Sequence, residues 1–246
     1  STYQTDKYWI AEGSKGLRSI QRKGSNSFEA LNEPIILDGP YSNSAFDIVC
    51  KNDKVYMIIG GKDLLNGKRF DKGGYILTYD YDKWSFIDPK EAQKKLNLPR
   101  NPRDYTSIAV TTDDSNDEIV YASSMGDGVI QYKNGTPVQS YNEKNAFKET
   151  AGGYGSGYCY IDGLAFDKNG NLWMTSSEVN HAVLVLDKAG AWHRLDIEQL
   201  RGVYTINDIL ITSTNDKWIY VPRNTPKLVM IPNSESLDEV SSYEFT

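Results

Sequence analysis

Short apolar runs broken by polar turns recur along the whole 246-residue chain. Within them apolar and polar positions often alternate, the period of a half-buried strand. Five runs carry an aromatic residue soon after a polar turn: "KYWIAEGSKGLRSI" (7–20), "KVYMIIGG" (54–61), "IVYASSMGDGVIQY" (119–132), "NLWMTSSEVNHAVLVL" (171–186) and "KWIYVPRNTPKLVMI" (217–231). The anchors Trp9, Tyr56, Tyr121, Trp173 and Trp218 are spaced by 47, 65, 52 and 45 residues. Four of the five have an apolar run before the turn: "AFDIVC", "TSIAVT", "IDGLAF" and "INDILI". Further runs follow them, ending in "KWSFID", "PVQSYN", "AWHRLD" and "SSYEFT".

Four antiparallel strands per repeat of this length predict an all-β β-propeller. About five blades are visible, over roughly 1–38, 39–102, 103–150, 151–200 and 201–246. About nineteen strand-like runs are too many for a β-sandwich. The first blade lacks its innermost strand, so either residues 1–5 supply it or the chain is a fragment of a larger ring. The insertion at 62–74 reads as a surface loop. Residues 88–102 read as a short helix capped by Asp88, with Pro89 at its first position and Glu91 completing a capping box, and 196–200 as a helical turn.

One turn imitates a metal loop. Asp167, Asn169 and Asn171 alternate as EF-hand ligands do, and Glu178 falls at the twelfth position. Leu172, however, occupies the place where an EF-hand needs glycine, and Asn169–Gly170 suits a tight hairpin with Gly170 at positive φ. The stretch therefore reads as the first hairpin of a blade, its Trp packed between sheets.

Composition adds the β character of 17 Tyr, 7 Phe and 5 Trp, with 20 Gly and 9 Pro for turns. A net charge of −6 argues against nucleic-acid or anionic-membrane binding. No apolar run is long enough for a transmembrane helix, and the chain shows neither an initiator Met nor a signal peptide, as a processed or excised piece would. Cys50 and Cys159 read as ordinary thiols, and His181 and His193 as polar strand residues rather than metal ligands. "AGGYGSGY" (151–158) fails as a dinucleotide fingerprint because it follows a loop, and Ser156 fails as a nucleophile elbow. No cofactor, metal or catalytic residue is predicted.

The string Asp167 to Thr175 resembles the two-component-regulator propeller repeat of hybrid sensor-kinase ectodomains. The order of "YWIAEGSKGL", "GPYSNSAFDI", "VYMIIGG", "YDYDKWSFI", "SSMGDGVIQYKNG" and "GLAFDKNGNLWMTSS" is similar to the propeller region of PorZ-like proteins of the type IX secretion apparatus. That resemblance implies a non-enzymatic periplasmic or cell-surface propeller whose partner is a glycan or a protein component of the envelope.

Candidate site residues are those at the starts of the innermost strands, which line a channel mouth. Aligning "YIDGLAF", "TINDILI", "YTSIAV" and "NSAFDIV" places Asp162, Asn207, Thr106 and Ser44 at equivalent positions, with Tyr160, Tyr204 and Tyr105 close by. Polar groups flanked by aromatics suit a sugar; equally, they could satisfy one another and water. The outer loops 62–74 and 151–158 are next in line. The competing class is a propeller glycosidase or lyase, which needs two facing carboxylates among Asp162, Asp208 and Asp47. Strand alternation turns Asp208 and Asp47 away from Asp162.

Overall fold

The computed structural model describes residues 7–12, 17–35, 39–147, 157–223 and 225–246. The chain divides into two compact units, 1–40 and 41–246. In the first unit, β1 (Lys7–Ala11), β2 (Leu17–Arg22) and β3 (Phe28–Ala30) form a three-stranded antiparallel sheet. Tyr8 and Phe28 meet edge to face across it, and Trp9 is 64% exposed. Residues 1–5, a possible innermost strand, lie outside the described residues.

The second unit is a succession of four-stranded antiparallel blades. The first holds β4 (Ala45–Lys51), β5 (Lys54–Ile59), β6 (Ile76–Asp80) and β7 (Lys83–Ile87). Next come β8 (Tyr105–Thr112), β9 (Glu118–Gly126), β10 (Gly128–Lys133) and β11 (Thr136–Tyr141). The third has β12 (Cys159–Phe166), β13 (Leu172–Ser176), β14 (Val183–Leu186) and β15 (Trp192–Leu195). The fourth has β16 (Ile209–Ile211), β17 (Lys217–Val221), β18 (Lys227–Ile231) and β19 (Tyr243–Phe245).

Tyr56, Tyr121, Trp173 and Trp218 all fall on the second strand of a blade. A single sheet cannot bury both faces alone, and each seam is therefore an apolar layer. Tyr56 packs with Ile108, Val120 and Ile130; Tyr121 with Ile161, Leu172 and Leu184; Trp173 with Ile209, Ile219 and Val229. Between the second and third blades the backbone also pairs. Strand β9 outruns β10, and its end meets β12 at Met125↔Tyr160 and Gly126↔Cys159, merging two blades into one eight-stranded sheet.

The Asp167 turn shows why its polar residues are needed. Asp167 Oδ1 accepts from the amides of Asn169 (2.9 Å) and Asn171 (2.8 Å), while Oδ2 accepts from Asn171 Nδ2 (2.9 Å) and Trp173 Nε1 (3.0 Å). Both oxygens are thus committed to the hairpin, and Gly170 has φ +85°. Lys217 of the next blade lies 4.5 Å above the Trp173 ring.

Helix α1 (Pro89–Leu96) follows β7, with Asp88 accepting from the Lys90 amide (2.9 Å) and left-handed Asn97 ending it. A 3₁₀ turn spans Glu198–Leu200. His193 lies on β15, but His181 sits in the loop before β14 rather than on a strand. Cys50 and Cys159 are free, and burial pushes the Cys159 thiol up to about 12.

Candidate functional site

The innermost strands are stitched together by side chains that accept amides across the seams. Asp47 Oδ2 accepts from Ile108 N (3.1 Å), and Ser107 Oγ accepts from Leu164 N (3.1 Å). At the third seam the corresponding residue is Gly163, where a Cβ would lie 2.6 Å from Ile209 N; Asp208 Oδ1 takes that amide instead (2.8 Å). Deeper in, Thr106 Oγ1 donates to Ile161 O (2.6 Å), and Ser123 Oγ contacts Thr106 Oγ1 (3.0 Å) and donates to Asp162 O (3.1 Å).

These contacts define the true equivalence: Asp47, Ser107, Gly163 and Asp208 share one position, so Phe46, Thr106, Asp162 and Asn207 share the one before it. Ser44 is therefore two residues out of register, exposed ahead of β4. A two-residue slip keeps every side chain on its own face, so alternation cannot detect it. Bulges at Ala45–Asp47, Tyr105–Ser107 and Ile161–Leu164 hide the count further. Tyr105 also leaves the predicted set. It is wholly buried in the first seam, its hydroxyl 2.6 Å from that of Tyr132.

Asp162 is 1% exposed, and its partner is a residue that sequence reasoning put on the surface. Lys62, at the foot of the 62–74 hairpin, is also buried. Its ammonium forms an ion pair with Asp162 Oδ1, donates to Ile206 O (3.1 Å) and lies 4.9 Å from the centre of the Tyr160 ring. Ser177 Oγ donates to Asp162 Oδ2 (2.5 Å) and accepts from Ile206 N (2.8 Å). Burial pushes the Asp162 carboxyl up to about 6 against the attraction of Lys62, and the Asp208 charge adds to the rise. The missed signal is the Gly60–Gly61 pair that delivers Lys62. With φ of +138° and +89°, these residues pass where a Cβ would strike Tyr105 N at 2.3 Å and the Phe46 ring at 2.0 Å.

Outside this plug lies an open cleft of about 540 Å³, lined by Lys68, Arg69, Arg100, Met125, Tyr158 and Tyr204 among others. Tyr204 alone of the predicted aromatics is well exposed, at 42%, and the Arg223 guanidinium lies 5.2 Å from its ring centre. Asn207 is half-buried, its amide donating to Tyr220 O (2.9 Å). The hairpin lining the cleft is pinned from beneath, because Asp104 accepts from the amides of Asp71 (3.1 Å) and Lys72 (2.9 Å). Arg100 bonds Asp127 through Nε and Nη2, both at 2.8 Å. A second cleft of about 500 Å³ continues from Arg100 and Tyr158 toward Asn142 and Glu143. Of 151–158 only Gly157 and Tyr158 are described; Ser156 lies outside the described residues.

No protein-family model matches the chain, and no curated protein matches it significantly. Solved structures share its fold. PorZ, a bacterial surface component of the type-IX secretion system of Porphyromonas gingivalis, superposes with a TM-score of 0.70 at 19% identity, over 100% of this chain and 32% of its own. The extracellular domain of a hybrid two-component system of B. thetaiotaomicron gives 0.54 at 15%, over 99% and 30%. A streptogramin B lyase gives 0.50 at 12%, over 98% and 66%. The fold is a β-propeller's. The propeller chain spans about a third of the length of the first two structures.

Proposed function

We propose that this chain is a non-enzymatic binding module of the bacterial envelope, in a secretion accessory or a sensor ectodomain, holding a glycan or protein segment at its periplasmic or cell-surface side. The observation that carries the reading is the pairing of a closed axial end with an open aromatic–guanidinium cleft above it. The axial carboxylate, the best-placed acid or base, is already bound to Lys62 and Ser177. Tyr158 and Tyr204 can instead offer ring faces to sugar C–H surfaces or apolar side chains, while Arg69 and Arg100 donate to hydroxyls or carbonyls. The fold likeness to a secretion component and a sensor ectodomain supports the envelope setting.

Charge-assisted guanidinium hydrogen bonds add about 1.5–3 kcal/mol each and less at a wet, open site, so one module binds weakly, at roughly micromolar to millimolar Kd. The test is a glycan array followed by titration calorimetry. Tyr158→Ala with Tyr204→Ala should abolish binding, whereas Asn207→Ala should leave it within a few-fold. Binding that survives the tyrosine pair and vanishes with Asn207→Ala would return the site to the strand starts. Turnover of a glycan would place the protein in the lyase or glycosidase class.

A further inference from the structure

A buried lysine ammonium is tolerated only where its charge and its hydrogens find partners. Around Lys62 Nζ these come from two places: the Asp162 carboxylate and the ring face of Tyr160, both on β12, and the Ile206 carbonyl from the segment entering the fourth blade. Each of the three residues also makes a bond that does not involve Lys62. Ser177 fixes Asp162 Oδ2 and the Ile206 amide at once. The Tyr160 carbonyl is held by Ser176 Oγ (3.0 Å) and the Ser177 amide (3.1 Å). Carboxylate, carbonyl and aromatic face are the elements by which proteins recognise ammonium ions.

We propose that this axial cage is a primary-ammonium binding site that the chain keeps filled with its own Lys62. Lys62 is then an internal ligand tethered by Gly60–Gly61. An alkylammonium group from elsewhere, such as a lysine side chain or an amino sugar, is the class of ligand the cage accepts once Lys62 withdraws. The inference stands apart from the cleft reading, since it concerns residues beneath the cleft and needs no cleft ligand.

Chemical rescue tests it. Lys62→Ala empties the lysine's path and takes the ion-pair partner from the buried Asp162 carboxyl. Its melting temperature should fall, and n-butylammonium chloride should raise it again saturably, by several degrees at millimolar concentration. Tetramethylammonium and sodium chloride should not, having no N–H to donate. Lys62→Met, whose side chain blocks the path, and Lys62→Ala combined with Asp162→Asn should show no rescue. If Lys62→Ala does not fold alone, n-butylammonium present during refolding should recover the native circular-dichroism spectrum. Absence of amine-dependent stabilisation or refolding, or an equal response from tetramethylammonium or from either control variant, overturns the proposal.

Discussion

Lys62 and Asp162 should prove far more costly to remove singly than together. An ion pair in contact attracts by roughly 4–5 kcal/mol at an effective dielectric constant of ~20. Breaking a buried pair by removing one partner costs about 3–5 kcal/mol, whereas replacing both is often close to neutral. Both side chains are essentially inaccessible to water here, so solvent cannot take over from the lost partner. Lys62→Met and Asp162→Asn should therefore each lower stability by about 3 kcal/mol, or roughly 6–12 °C in Tm for a unit of this size. The double variant should fall within about 1–2 kcal/mol of the parent. Urea unfolding followed by near-ultraviolet circular dichroism measures all four corners of the cycle. Additive losses, with a coupling energy below about 1 kcal/mol, would refute the ion pair as the link between hairpin and axis. The pH dependence supplies a second reading. The folded Asp162 pKa of about 6 lies above its unfolded value of 3.8. Its charge therefore opposes folding above pH 6, and the penalty is relieved as pH falls through about 6 toward 3.8. Carboxyl-carbon NMR should show Asp162 titrating near about 6, and higher still in Lys62→Met.

Asp167→Ala should destabilise by about 2–4 kcal/mol, because four donors including the buried Trp173 indole lose their acceptor; thermal melts check this. Gly170→Val should cost roughly 1–3 kcal/mol for its left-handed backbone. Gly163→Ala should open the last seam, since its methyl would overlap the Ile209 amide, whereas Gly39→Ala, with nothing within 4 Å, should be silent; amide exchange in β16 is the readout. His193 sits between Asp238 (2.9 Å) and Asp187 (3.1 Å), and these bonds raise its pKa above 6.5. Its stabilisation is complete below pH 6.5 and lost as pH rises through the raised value. Asp238→Asn should flatten that dependence by less than about 1 kcal/mol, Asp238 being largely exposed.

The strand plan was legible because alternation, turn residues and anchor spacing all act locally. Tyr56, Tyr121, Trp173 and Trp218 could be placed on second strands from those signals alone. The axial end was less legible. Asp162 was identifiable as an inner-strand carboxylate, but its partner lies 100 residues away on an insertion that looks like polar surface. Ser44 was misplaced for a different reason, since bulges alter the residue count without disturbing the apolar pattern, while Tyr105, next to Thr106, turns its ring into the seam. Tyr204 and Tyr158 were within reach, from the strand starts and the glycine-rich loop. Their convergence with Arg69 and Arg100 depends on how three loops fold back, which no local period encodes.

The backbone splice between β9 and β12 gives this repeat array an uneven grain. At the other two seams the main-chain bonds run between loops, including Gly74 N to Pro102 O (3.0 Å) at the first and Glu178 N to Val203 O (2.8 Å) at the third. At Met125↔Tyr160 and Gly126↔Cys159 the strands of neighbouring blades pair directly, so separation must break a sheet. In a nearest-neighbour description of repeat stability, a seam paired strand to strand should couple most strongly, so β8 to β15 should melt as one double-width unit. Fraying then starts at 45–87 and 209–245, and the last nucleus to melt carries Asp162, Ser177 and Tyr160 together.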